Sequence, residues 1–189
     1  MSTPTATRRE EMLHAAAALF AERGFHGVSV GDIGRACGVS GPALYRHFAG
    51  KDAILAEMLV SISEELLREG RARSRAATDP AAAVRALVDW HIDFALREQA
   101  LIIVQDRDWA ALPDEARDRV RSLQRKYVDL FVAALRAHEP GLPRKTALAR
   151  AHAVFGLLNS TPRSGYLGDD DMRGELAGMA LRALSVSAD

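Results

Sequence analysis

The sequence predicts an all-α protein in two parts, an N-terminal three-helix domain over residues 1–52 and a larger helical domain over 53–189. Three observations point there. Apolar residues recur at helical spacing along almost the whole chain. Glycine and proline stand between the periodic stretches, at Gly24, Gly38, Pro80, Pro113 and Pro140-Gly141. No strand-like alternation and no internal repeat breaks the pattern.

Residues 1–7 are small, polar and aperiodic, and are expected to be disordered. From Arg8 to Glu22, Leu13, Ala16, Ala17 and Phe20 form one apolar face, and Gly24 ends that helix. Ser29 then suits an N-cap, with Asp32 three residues on in capping-box position. Ile33, Ala36 and Cys37 make the stripe of a second, short helix, stopped by Gly38. Ser40 caps a third, with Pro42 in its first turn, where a missing N–H costs little. Two short helices joined by a tight turn are a helix-turn-helix, whose second helix enters the DNA major groove.

That second helix has the composition the task requires. Leu44 and Phe48, four apart, face inward. Gly41, Pro42 and Ala43 give a small first turn for close approach, and Tyr45, Arg46 and His47 carry polar tips for bases and phosphates. Lys51 follows at the start of the next helix, where an ammonium can hold a phosphate. With the cap residues Ser29 and Ser40, these are the candidate DNA-facing positions. Arg8 and Arg9 either reach a phosphate or are simply solvated.

The run Gly38–Leu55, GVSGPALYRHFAGKDAIL, resembles the recognition-helix signature of TetR-family transcriptional repressors. Ile33 to Cys37 is similar to the same family's preceding helix, with Gly34 replacing the usual alanine at a small cost in helix propensity. The resemblance covers about residues 8–55. It implies an all-helical homodimer that binds a pseudo-palindromic double-stranded DNA operator and leaves it on binding a small molecule. A looser likeness, in Asp108-Trp109, LPDEARDRVRSLQRKYVDLF and VFGLLNS, is to a subgroup tied to fatty-acid, acyl-CoA or steroid catabolism.

Beyond residue 55 the reading rests on periodicity. A long helix runs from Lys51 to about Arg73, carrying Ile54, Leu55, Met58, Leu59, Ile62 and Leu66. Pro80 opens another, to about Glu98; a short apolar run, Leu101 to Val104, leads to Trp109. Helices follow from Pro113 to Pro140, from Arg144 to about Ser160, and from Asp169 to Ser185. Met58, Ile62, Trp90, Phe94, Trp109, Tyr127 and Phe131 are the candidate wall of an apolar effector cavity, with Asn159 as a polar contact and His91 and Gln105 as further polar groups. Plain core packing is the competing reading of these residues. Ala151, Val154, Phe155 and Leu158, with Leu176, Met179, Ala180 and Leu184, form two stripes that would pair with their two-fold copies as a dimer interface.

Composition bounds the rest. The 25 basic and 25 acidic residues cancel, so no overall field draws the chain to nucleic acid. Through Leu55 there are six Lys/Arg and five Asp/Glu, so local clustering must do any steering. One cysteine excludes an internal disulfide, and the six histidines show no metal-ligand spacing, so no metal or cofactor is expected. No nucleophile–base set or carboxylate pair suggests an enzyme. No secretory or membrane-spanning run occurs, which predicts a cytoplasmic protein without a membrane partner. The alternative to a ligand-responsive repressor is a constitutive or architectural DNA binder.

Overall fold

The computed structural model describes residues 7–186, so the expectation for residues 1–6 lies outside the described part. Among the described residues there are nine α-helices and no strand: α1 Arg8–Arg23, α2 Val30–Ala36, α3 Gly41–Tyr45, α4 Lys51–Ala76, α5 Pro80–Arg97, α6 Gln99–Asp108, α7 Asp114–His138, α8 Arg144–Leu158 and α9 Asp169–Ala183. No helix among them is long and apolar enough to cross a membrane. The chain divides into two compact units, but not at residue 52. One unit runs to Ser61 and takes back Ala100–Arg119; the other holds Ile62–Gln99 and the chain from Val120.

In the first unit, Thr7 is not a loose end but the N-cap of α1, its hydroxyl accepting from Glu10 N while Glu10 accepts from Thr7 N at 2.6 Å. Met12, Ala16, Ala17 and Phe20 are buried, one residue out of register with the expected Leu13. Gly24 leaves α1 at φ +79°, a conformation that favours glycine. Ser29 and Asp32 form the expected reciprocal capping box of α2. That helix ends at Ala36, with Cys37 as its half-buried cap rather than a core residue.

The inner residue of α2 is Gly34, not Ala36, which is exposed. A Cβ on Gly34 would lie 2.9 Å from the Val39 carbonyl, and Val39 N donates to Gly34 O at 2.8 Å. The glycine is therefore where the turn closes on its own helix. Gly38 makes the reversal at φ +66°. The apolar run after Leu101, which looked like a connection, belongs to a full ten-residue helix, α6. Arg107 on α6 donates to the Phe20 and Ala21 carbonyls at the end of α1, which brings residues 100–119 into this unit.

In the second unit α5 is the centre: Ala83, Val84, Leu87, Val88, Trp90, His91, Ile92, Phe94 and Ala95 are all buried. The stripe of Arg85, Asp89 and Asp93 is left facing outward, so the helix has neighbours around most of its circumference. It packs against α9 and α8, and α8 packs against α9. α7 adds Leu123, Tyr127, Phe131 and Leu135 to the core. α7 is amphipathic, and Asp79 caps α5, accepting from Ala82 N at 2.7 Å.

Candidate nucleic-acid interface

The helix-turn-helix presents a short α3 whose first residues rest on Ser40, the Ala43 amide donating to its hydroxyl at 3.4 Å. Gly41 and Ala43 are half-buried, Pro42 exposed, and Leu44 fully buried. α3 ends at Tyr45, so Arg46 is its C-cap and His47 lies in the turn beyond, shorter than the expected run to Phe48. Tyr45 is 57% exposed, a large share for an aromatic ring. Beside it a cleft of about 500 Å³ opens, bounded by Ser29 and Val30 at the start of α2, by Tyr45, and by Gly50 and Lys51.

The cations of this head are not equivalent. Arg8 bonds Glu11 and the Cys37 carbonyl, and Arg35 bonds Asp32. Arg9 is tied to Glu57 at 2.6 Å and to the His47 carbonyl at 2.6 Å, with its guanidinium 4.2 Å from the Phe48 ring centre. Neither Arg8 nor Arg9 is a free phosphate hook. Lys51 corrects a firmer expectation. Its Nζ donates to the Phe25 and Val28 carbonyls at 2.8 and 3.0 Å and sits over the Phe25 ring at 4.4 Å. Two of its three N–H groups are thus committed to pinning the α1–α2 loop, which leaves at most one for DNA. Arg23 approaches Glu22 at 3.5 Å. Among the described residues, Arg46 is the one Lys/Arg of this head without an intramolecular partner. The Asp32 carboxyl is held at about 2, chiefly by the Ser29 hydroxyl and amide and then by Arg35, so it stays charged and locked into the cap.

The candidate effector residues divide between the units. Met58, buried, and Trp109, half-buried, belong to the first; the others lie in the second. There an aromatic cluster forms around His91. Its ring centre is 5.5 Å from Phe94, 5.7 Å from Tyr127 and 4.8 Å from Phe155, and Phe131 meets Tyr127 at 5.5 Å. His91 Nε2 lies 3.0 Å from Asn159 Oδ1, and Nδ1 lies 3.4 Å from the Tyr127 hydroxyl. The tautomer that satisfies both has Nε2–H donating to Asn159 and Nδ1 accepting from Tyr127. Burial lowers the His91 pKa to about 4, opposed by the Asn159 bond, so the ring is neutral at pH 7. Burial also raises the Tyr127 phenol. Trp90 turns elsewhere, its Nε1 donating to the Leu66 carbonyl at 3.2 Å under Arg73. Ile62 is buried, and Gln105 lies on α6 in the first unit.

The expected dimer stripes need correction. Ala151, Val154, Leu158, Leu176, Ala180 and Leu184 are each at most 1% exposed within the single chain, so no second copy can reach them. Phe155 is half-buried against Tyr127, and only Met179 of the eight lies open. The two stripes are the seam of α8 and α9 with α5. The opposite side of α8 exposes Ala149, Ala153 and Gly156, and α9 exposes Met179 and Ala183.

Residues 12–58 match the profile of the bacterial regulatory proteins of the tetR family, and residues 77–184 match a tetracyclin repressor-like C-terminal domain. The chain belongs to the TetR family. It is 30% identical over 131 residues to the transcriptional repressor KstR2 of Rhodococcus jostii, covering 69% of this chain and 64% of that protein. It is 31% identical over 114 residues to the transcriptional activator FasR of Mycolicibacterium smegmatis, covering 60% of this chain and 52% of that protein. The chain thus spans less than two thirds of the length of these curated relatives. Among solved structures, a TetR-family regulator from Bordetella parapertussis superposes at TM-score 0.83 with 25% identity, over 98% of this chain and all of that one. A structure of AibR in complex with isovaleryl coenzyme A and operator DNA shares the fold at TM-score 0.74 and 23% identity, over 92% of this chain and 97% of that one. This family consists of transcriptional regulators rather than enzymes.

Proposed function

We propose that this TetR-family chain is a ligand-responsive repressor that binds a pseudo-palindromic operator as a homodimer and is released by a small apolar effector. The observation that carries the DNA reading is the unpaired Arg46 beside the exposed Tyr45 and His47, on a head whose other cations are tied down. A guanidinium held ready at the end of α3 can bond guanine bidentately, worth roughly 1–3 kcal/mol of discrimination. Ser29, Ser40, Gly41, Pro42 and Ala43 set the approach, with Tyr45 and His47 facing the backbone.

The effector reading rests on the aromatic cluster and its polar trio in the second unit. Phe94, Phe131 and Phe155 supply apolar wall, while Tyr127, His91 and Asn159 can meet one polar group of a ligand. Ile62 and Trp90, in the same unit, remain candidate lining. AibR's crystallised ligand makes acyl-coenzyme A thioesters the first compounds to try, ahead of free fatty acids and steroids. The dimer reading uses the open faces of α8 and α9, where small residues allow close approach. Continuity of α4 from Lys51 to Ala76 supports a route from effector to head. The ligand must favour a conformation whose heads no longer match half-sites one helical turn apart, roughly 34–36 Å. A coupling of roughly 1–3 kcal/mol loosens the operator about 5- to 150-fold. The test is to titrate acyl-coenzyme A thioesters, fatty acids and steroids against an operator-bound complex. Release by one class is expected; release by none would favour a constitutive binder.

A further inference from the structure

A second concave site lies on the outer surface of the second unit, between α7 and α8, with a volume of about 370 Å³. Its α7 side carries Arg121 and Arg125, one helical turn apart, with Gln124 between them and Val128 one turn further. Its α8 side carries Arg144, Leu148 and His152 at i, i+4, i+8. Val128 and Leu148 are half-buried and make an apolar floor. The one acid on the rim, Asp129, is engaged by Arg144 at 2.9 Å. Arg125 is exposed and, among the described residues, has no partner. His152 stands at the far end, its ring centre 6.5 Å from that of Phe155.

Three guanidiniums and an imidazole surround two aliphatic side chains, with Asp129 the one carboxylate in the lining. Guanidiniums bind phosphate bidentately and also stack on flat rings. The volume lies within the range of small-molecule pockets, about 300–1,000 Å³. We infer that the α7–α8 groove binds a phosphate-bearing nucleotide, its diphosphate among Arg121, Arg125 and Arg144 and its base over Val128 and Leu148. Gln124 is placed to bond a base edge, with one acceptor and two donors. The groove touches the aromatic cluster only where His152 meets Phe155, and it does not depend on the effector reading.

The shared chemistry, a diphosphate joined to an adenine nucleoside, has two sources: a free nucleotide, or the nucleotide end of a coenzyme A thioester. Isothermal titration of the full-length chain with ADP, coenzyme A, inorganic pyrophosphate and adenosine separates them. Expected is saturable binding of ADP or coenzyme A with Kd below about 1 mM, weaker binding of pyrophosphate, and none of adenosine. Tighter binding of coenzyme A than of ADP would assign the groove to a thioester head group, and the reverse to a free nucleotide. Arg125→Gln, at an exposed position with no partner to lose, should weaken binding by about tenfold or more. Leu148→Glu should do the same by placing a carboxylate in the floor, with an unchanged thermal midpoint for Arg125→Gln as the check on folding. The inference is overturned if neither nucleotide saturates, or if both variants bind as the parent does. Pyrophosphate binding as tightly as ADP would remove the base from the assignment.

Discussion

Lys51 illustrates how a side chain's partners decide its role. A lysine at a phosphate contributes a counterion-release charge; a lysine clamped to two carbonyls contributes charge-assisted hydrogen bonds, worth roughly 1.5–3 kcal/mol to stability. Lys51→Met should therefore lower the unfolding free energy of the chain by about 1–3 kcal/mol while leaving the salt slope of operator binding unchanged. A slope shallower by about one, with full stability, would return Lys51 to the phosphate. His91 makes the second prediction. Its folded pKa of about 4 lies below the ordinary 6.5, so the unfolded chain takes up the proton first as pH drops. The stability held by neutral His91 is complete above about pH 6.5 and is lost as pH falls from there to about 4, on the order of 3 kcal/mol in all. Urea midpoints across that window should fall more steeply for the parent than for His91→Gln. Parallel slopes would mean that His91 is not buried neutral.

At the scale of the element, α4 and α7 meet where a glycine permits it. A Cβ on Gly70 would lie 2.7 Å from Tyr127 Cε2 and 3.4 Å from Leu87 Cδ2. Gly70→Ala gains roughly 1 kcal/mol of helix propensity but overpacks a buried ring, a cost of about 1–3 kcal/mol. Net destabilisation is expected, measured by urea unfolding, turning neutral or favourable in a Tyr127→Leu background where the ring is gone. Much at this scale could be read from sequence. The capping box at Ser29, Pro42 in the first turn of α3 and the Gly38 reversal act locally, so local spacing reveals them. α6 was lost because only Glu98 separates it from α5, with no glycine or proline between, and a ten-residue helix carries few periods. The α8 and α9 stripes were found correctly as apolar but assigned to the wrong partner. Periodicity says that a face is buried and is silent on whether α5 or a second copy buries it. The intramolecular partners of Lys51 and Arg9 were not legible for a related reason: they come from 26 and 48 residues away.

For the whole molecule, the proposed dimer is what would join effector binding to operator release. A dimer through the open face of α8 would place Ala149, Ala153 and Gly156 against their copies, beside Met179 and Ala183 of α9. Ala153→Arg should then turn a dimeric light-scattering mass into a monomeric one at micromolar concentration; an unchanged dimer would move the interface elsewhere. The aromatic cluster was half-legible: Tyr127, Phe94, Phe131 and Asn159 were singled out, but only the fold shows that they converge on His91. The head was legible in composition, yet which cation is free emerges only from the pairing of the other five. The most direct test is selection of binding sites from a random duplex library by the parent chain and by Arg46→Ala. The parent should enrich an inverted repeat with half-sites spaced by one helical turn or a multiple, and the variant should show relaxed preference at the Arg46-facing base pair. No enriched sequence, or an identical motif from both proteins, would contradict the proposed function.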